Sequence, residues 1–184
     1  MAPGGAVSRG KPEMATLLLD RGADTNIIFG GIYGTALGSA AARGHMEMAT
    51  LLLDRGADTN ITLGGKYGTA LGVAAARGRM EMATLLLDRG ADININFGGK
   101  YGTALGAAAW CGYLEVFILL LDRGANPDVT NDLSQTPRDV AKLNKWYETV
   151  GLLDSYGAGK VECQTNDIQA LFDRSNDESN NCRE

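Results

Sequence analysis

The residue types that do chemistry are few in this sequence, and their spacing argues against catalysis. His45 is the single histidine. Its equivalent places further along the chain hold Arg79, Tyr113 and Trp146, and a base replaced this freely in sister segments reads as a turn residue. Gly65-Lys66 and Gly99-Lys100 have the glycine–lysine pair of a phosphate loop. Tyrosine, however, follows each lysine where a hydroxyl should bind magnesium, and the opening glycine is missing. These pairs are expected to be hairpin tips. Neighbouring aspartate and arginine recur at 20–21, 54–55, 88–89 and 122–123. They read as solvated helix ends, the arginine facing the negative end of the helix dipole, and not as a carboxylate dyad. Cys111, Cys163 and Cys182 have neither C-x-x-C nor Cys/His spacing, so no disulfide framework and no metal site is expected. Cys111 is expected to be an accessible surface thiol. Asn60-Ile61-Thr62 fits a glycosylation sequon and is read as coincidence. The expectation is a protein that is not an enzyme, with no metal, no cofactor and no small-molecule substrate.

Bulk properties narrow the class further. The chain has 184 residues and a formal charge of −5. That length suffices for one core. The mild acidity argues against a nucleic-acid partner, which needs a basic field. The longest apolar run, Val116 to Leu121, is far too short to span a bilayer, so no membrane partner is expected. MAPGGAVSRGKPEM at the start lacks the apolar run of a signal peptide. The expected location is cytoplasmic, with nuclear entry open. Glycine is in excess, at 25 residues or about 14%, roughly twice the usual share.

The elements that hold these residues repeat. EMATLLLDRGAD occurs at 13–24, 47–58 and 81–92, and EVFILLLDRGAN at 115–126, each 34 residues after the last. Between them stand YGTALGSAAARG from Tyr33, YGTALGVAAARG from Tyr67 and YGTALGAAAWCG from Tyr101. A diverged unit runs from Thr136 to Ala158. Each unit reads as helix, turn, helix and hairpin. Thr35, Thr69 and Thr103 are placed to cap the first helix. Gly44, Gly78 and Gly112 end it, and Gly56, Gly90 and Gly124 end the second, in the left-handed conformation. Paired glycines at 30–31, 64–65 and 98–99 mark hairpin tips. No unit buries its own apolar face, so the whole must be a solenoid.

The pattern resembles the ankyrin-repeat family. The resemblance rests on Thr35-Ala36-Leu37, Ala40-Ala41, Gly44-His45, Glu47, Leu51-Leu52-Leu53, Gly56-Ala57-Asp58 and Asn60, recurring in register, and on Thr136-Pro137 in the last unit. It covers residues 6–158. The GG-x-YGTAL variant is similar to fungal-type ankyrin arrays, often linked to NACHT-type signalling ATPases. The resemblance implies an all-α solenoid of about four and a half repeats, and the polar, charged composition after Ala158 predicts a disordered C-terminal tail. The expected division is a repeat domain at 1–158 and a polar tail at 159–184. Within the domain come a partial first repeat at 1–34, repeats at 35–68, 69–102 and 103–135, and a capping repeat at 136–158. Two departures stand out. Gly38, Gly72 and Gly106 occupy the family's helix-A histidine, and the three central hairpins are one residue longer, predicting longer and looser tips.

The ends differ. Residues 1–10 contain Pro3 and Gly4-Gly5, which predict a frayed first helix. The outer face of the first unit lacks a polar cap, the expectation for the C-terminal part of a longer array. In the last unit Asp154 replaces a leucine and Lys142 an alanine, as suits a cap. Ile168, Leu171 and Phe172 in the tail are spaced for one amphipathic turn.

The resemblance implies a non-catalytic protein–protein interaction module, its partner an unidentified protein held on the concave face of the array. The alternative is a fragment of a larger signalling protein without independent function. Candidate partner-binding residues are Trp110, Arg43, Arg77, Lys66, Lys100, Tyr33, Tyr67 and Tyr101. Trp110 stands where sister units have alanine, and it also suits a cover over the junction with the last unit. The tyrosines suit ring-on-ring packing between units. Residues 1–126 carry 11 basic and 11 acidic groups, so the net charge comes from residues 127–184. That asymmetry suggests an acidic or mixed peptide, or the chain's own tail, as ligand.

Overall fold

The structure is a computed structural model that describes residues 11–28, 32–62 and 67–157. Within these residues the chain forms nine helices, which two recurring local signals start and stop. The first helix of each unit begins at a threonine in extended conformation. Thr35 Oγ1 accepts the Gly38 N–H at 3.0 Å, and α2 (Ala36–Arg43) starts at the next residue. Thr69 and Thr103 cap α4 (Ala70–Ala76) and α6 (Ala104–Cys111) in the same way. Thr136 forms a full capping box with Asp139 at the start of α8 (Pro137–Leu143). Gly44, Gly78 and Gly112 then turn the chain at φ of 70, 64 and 75°. Lys145 takes the same left-handed place in the last unit, at φ 64°.

The second helices are α1 (Pro12–Asp20), α3 (Met46–Asp54), α5 (Met80–Asp88), α7 (Leu114–Asp122) and α9 (Tyr147–Gly157). The helices pack in two rows. In one, α2, α4, α6 and α8 lie each on the next, and in the other α1, α3, α5, α7 and α9 do the same. Each first helix also packs on the second helix of its own unit. The core lies between the rows. Leu37, Leu71 and Leu105 meet Met48, Leu52, Met82, Leu86, Phe117 and Leu120, all fully buried. Burying each such side chain stabilises by about 1.5–3 kcal/mol. Helices α2, α4 and α6 are otherwise mostly small residues, alanine above all, which lets neighbouring units approach closely.

The third hairpin is tied rather than loose. Phe97 N–H donates to Gly102 O at 2.8 Å, and Gly102 N–H to Gly98 O at 3.1 Å. Its tip reaches the next hairpin, where Gly99 N–H donates to Asp132 at 2.6 Å. The extra residue is thus absorbed by two left-handed glycines, Gly98 and Gly99, and not by slack. The first two tips, with Gly30-Gly31 and Gly64-Gly65, lie outside the described residues. So do the N-terminal segment 1–10 and the tail with Ile168, Leu171 and Phe172.

The two ends of the stack are unlike. On α1, Met14 is 49% and Leu17 44% exposed, whereas Met48 and Met82, the equivalents of Met14, are 2% and 1% exposed. At the other end Arg138 Nε donates to Asp154 at 2.7 Å within one unit, so the last repeat closes on itself with a polar pair.

Candidate functional site

One strip of side chains crosses the units on the side of the first helices, built from a tight turn repeated three times. The N–H groups of Thr35, Thr69 and Thr103 donate to the carbonyls of Tyr33, Tyr67 and Tyr101, two residues back, at 2.7–2.8 Å. This turn aims each ring along the stack. Tyr33 lies 6.4 Å from Tyr67 and Tyr67 5.6 Å from Tyr101, with ring planes within 14° and 8° of parallel. The same turn presses the tyrosine carbonyl onto the helix behind it. A Cβ on Gly72 would lie 2.2 Å from Tyr67 O, and one on Gly106 1.9 Å from Tyr101 O. Glycine stands in place of the family's histidine there because no side chain fits.

Cations lie over the rings. The Arg77 guanidinium is 5.7 Å from the Tyr33 centroid and 5.8 Å from that of Tyr67, and it donates to the Tyr33 hydroxyl at 2.7 Å. Its Nε is buried with no hydrogen-bond partner. Arg43 lies 5.9 Å from Tyr33 and is exposed. Lys100 Nζ lies 4.8 Å from Tyr101 and 4.1 Å from Trp110, and Trp110 meets Tyr101 edge-on at 5.9 Å. Such contacts are worth about 0.5–1 kcal/mol each when exposed and about 2 when desolvated. Tyr67 and Tyr101 are only 4% and 3% exposed. Their rings are thus largely closed off, beneath or beside the cations. Burial pushes the Tyr101 hydroxyl far above its ordinary value, and the neighbouring Tyr67 adds to this.

Trp110 is half-buried, while Ala42 and Ala76 at its place in sister units are buried. Leu143, its equivalent in the last unit, is 63% exposed. Trp110 also belongs to the junction with the last unit, because Trp146 Nε1 donates to its carbonyl at 3.3 Å. Arg43, Arg77, Lys100, Tyr33, Tyr67, Tyr101 and Trp110 thus come together in one strip. Lys66 lies outside the described residues.

Other ladders tie the units together, and sequence reasoning missed them. Arg55, Arg89 and Arg123 do not merely face their own helix ends. Each meets the aspartate of the preceding unit, Asp20, Asp54 and Asp88, at 2.6–2.8 Å. Asn26 and Asn60 each accept a backbone N–H of the next unit, from Asp58 and Asp92, at 2.8 Å. The same side chains donate to Gly56 O and Gly90 O at 3.4 Å. Asn60 is thereby engaged in the fold, which gives its sequon a structural reason. The 34-residue recurrence of both patterns was the available signal. The places equivalent to His45 also serve the stack: Tyr113 covers Gly78 and Trp146 covers Gly112, each so closely that an added Cβ would clash.

Cys111 is a correction. It is 6% exposed, so it is not an accessible surface thiol. Among the described residues there is no group of His, Cys, Asp or Glu that could hold a metal ion. No helix among them is long and apolar enough to cross a membrane. The strip itself consists of cationic heads held over ring faces.

Comparison with known families agrees with this architecture. An ankyrin-repeat model matches in three copies, over residues 5–97 and 65–131. No curated protein matches the chain. With that match over most of its length, and with capped helix pairs stacked in two rows, the chain belongs to the ankyrin-repeat family.

Proposed function

We propose that this chain is a non-catalytic interaction module that docks a partner protein on the concave face of its array, around Trp110, Arg43, Arg77 and Lys100. Ankyrin repeats are generic protein–protein interaction modules. The observation that carries the finer reading is the cation–ring strip. Rings held by backbone turns fix the cations before any partner arrives, so little side-chain entropy remains to be lost on binding. Tryptophan and arginine are the usual anchors of such surfaces. The module is taken as residues 1–158, with 159–184 as an appended tail. The test is affinity capture with the intact chain as bait beside Trp110→Ala and Arg77→Ala versions, each first checked for an unchanged helical signal. Partners recovered by the wild type and lost with the variants support the reading. Equal recovery by all three ends it.

A second reading has its own observation. The exposed Met14 and Leu17 on α1 occupy a stacking surface, and Arg21, the equivalent of Arg55, meets no carboxylate among the described residues. This favours a unit stacked ahead of α1, as in the ankyrin part of a larger signalling protein. Placing a copy of residues 35–68 ahead of Met1 brings an aspartate within register of Arg21. A higher thermal midpoint, reduced when that aspartate is changed to alanine, is the expected result. No change in midpoint counts against it.

A further inference from the structure

We infer that the partner presents an acidic, extended segment to this strip, its carboxylates meeting Arg43 and Arg77 and an apolar side chain meeting Trp110. The inference rests on the concave-face reading and adds the chemistry of the ligand. Its basis is how charge is distributed over the array. The arginines at the ends of the second helices, Arg55, Arg89 and Arg123, are each neutralised by an aspartate, and Arg138 is neutralised by Asp154. Arg43 and Arg77 are not. Among the described residues neither meets a carboxylate; Arg43 reaches Ser39 and Tyr33, and Arg77 reaches Tyr33 and Tyr67 and lies near Tyr101.

The sequence of the strip explains why. Helices α2, α4 and α6 contain no aspartate or glutamate at all. At the far end of the array, Asp132 takes the Gly99 N–H, and Asp139 takes the Thr136 N–H and hydroxyl. Among the described residues, Arg43 and Arg77 thus stand on this side unpaired with a carboxylate, beside helices that carry no acid. Guanidinium pairs best with carboxylate, in a planar and often bidentate contact. The shape agrees with an extended ligand. The rings step by 6.4, 5.6 and 5.9 Å from Tyr33 to Trp110, a distance that roughly five or six extended residues span. Beyond Trp110 the exposed Leu143 continues the apolar end.

The test titrates the full chain with a dye-labelled peptide alternating glutamate with alanine and ending in leucine. The controls are a lysine-for-glutamate peptide and a single-stranded DNA of the same charge. Glutamate-peptide binding that weakens as salt rises, with a shift in tryptophan emission, is expected. Arg43→Gln, whose exposed side chain leaves the fold intact, and Arg77→Gln should together weaken it about tenfold or more. Arg55→Gln and Arg89→Gln should leave it unchanged. Absence of glutamate-peptide binding, equal binding of the lysine peptide or the DNA, or equal loss in the Arg55 and Arg89 variants overturns the inference. If the peptide fails while Trp110→Ala still loses captured proteins, the acidic ligand is wrong and the docking face stands.

Discussion

Gly72 and Gly106 sit where the tyrosine carbonyl of the preceding turn occupies the place of a side chain. This is close approach to backbone, which cannot rotate away. Gly106→Ala should therefore destabilise the array by about 1–3 kcal/mol, the range for overpacking a filled site. Gly151 is the contrasting case. It lies within α9 with nothing within 4 Å of an added Cβ. Gly151→Ala should stabilise by about 0.5–1 kcal/mol, since alanine loses less backbone freedom on entering a helix. Urea unfolding of the two variants beside the wild type reads the opposite signs. Two shifts of the same sign would show that the tyrosine turn relaxes around a methyl group.

Between elements, the ladders differ in strength although they look equally regular. Asp54 and Arg89 are 58% and 37% exposed along their side chains, so their pair contributes well under about 1 kcal/mol. Asn60 instead satisfies a backbone N–H of the next unit at 2.8 Å. Asn60→Ala should cost about 1 kcal/mol, more than Asp54→Ala, by thermal or urea unfolding. Acid sensitivity is expected in the last unit. The Thr136 hydroxyl and N–H hold the Asp139 carboxyl below its usual 3.8, and Arg138 holds Asp154 below it too. A depressed carboxylate contributes stability that is present above its unfolded value and is lost as pH falls through the folded one. Acidification below about pH 4 should loosen α8 and α9 first. Trp146 emission in a Trp110→Phe background tracks this, and Asp139→Asn should remove part of the pH dependence. A transition unchanged by Asp139→Asn would locate the acid sensitivity elsewhere.

At the scale of the molecule, stability is a sum of units and of the interfaces between them. Among the described helices α1 has one neighbour in its row, α3, and its Met14 and Leu17 are exposed. Helices α3, α5 and α7 have neighbours on both sides. Amide hydrogen exchange should therefore be fastest in α1 and slowest in α5 to α7. Uniform protection along the chain would mean that the array opens only as a whole. The same one-dimensional build explains the recognition surface: a turn that points one tyrosine along the stack, repeated, becomes a continuous strip.

The repeat register, the threonine caps and the glycine stops were determined by the sequence alone, because each depends on residues close together within one unit. The polar character of the last unit was legible on the same grounds, from Asp154 and Lys142. The tertiary structure decided what depends on the spacing between successive units. It joined Arg55 to Asp20, 35 residues away, where the sequence suggested separate helix ends. It buried Tyr67 and Tyr101 under the cations they support, leaving Arg43 and Trp110 as the more accessible groups. It also explained the glycine excess at its one puzzling place. Only the folded turn brings Tyr67 O and Tyr101 O so near α4 and α6 that Gly72 and Gly106 can have no side chain.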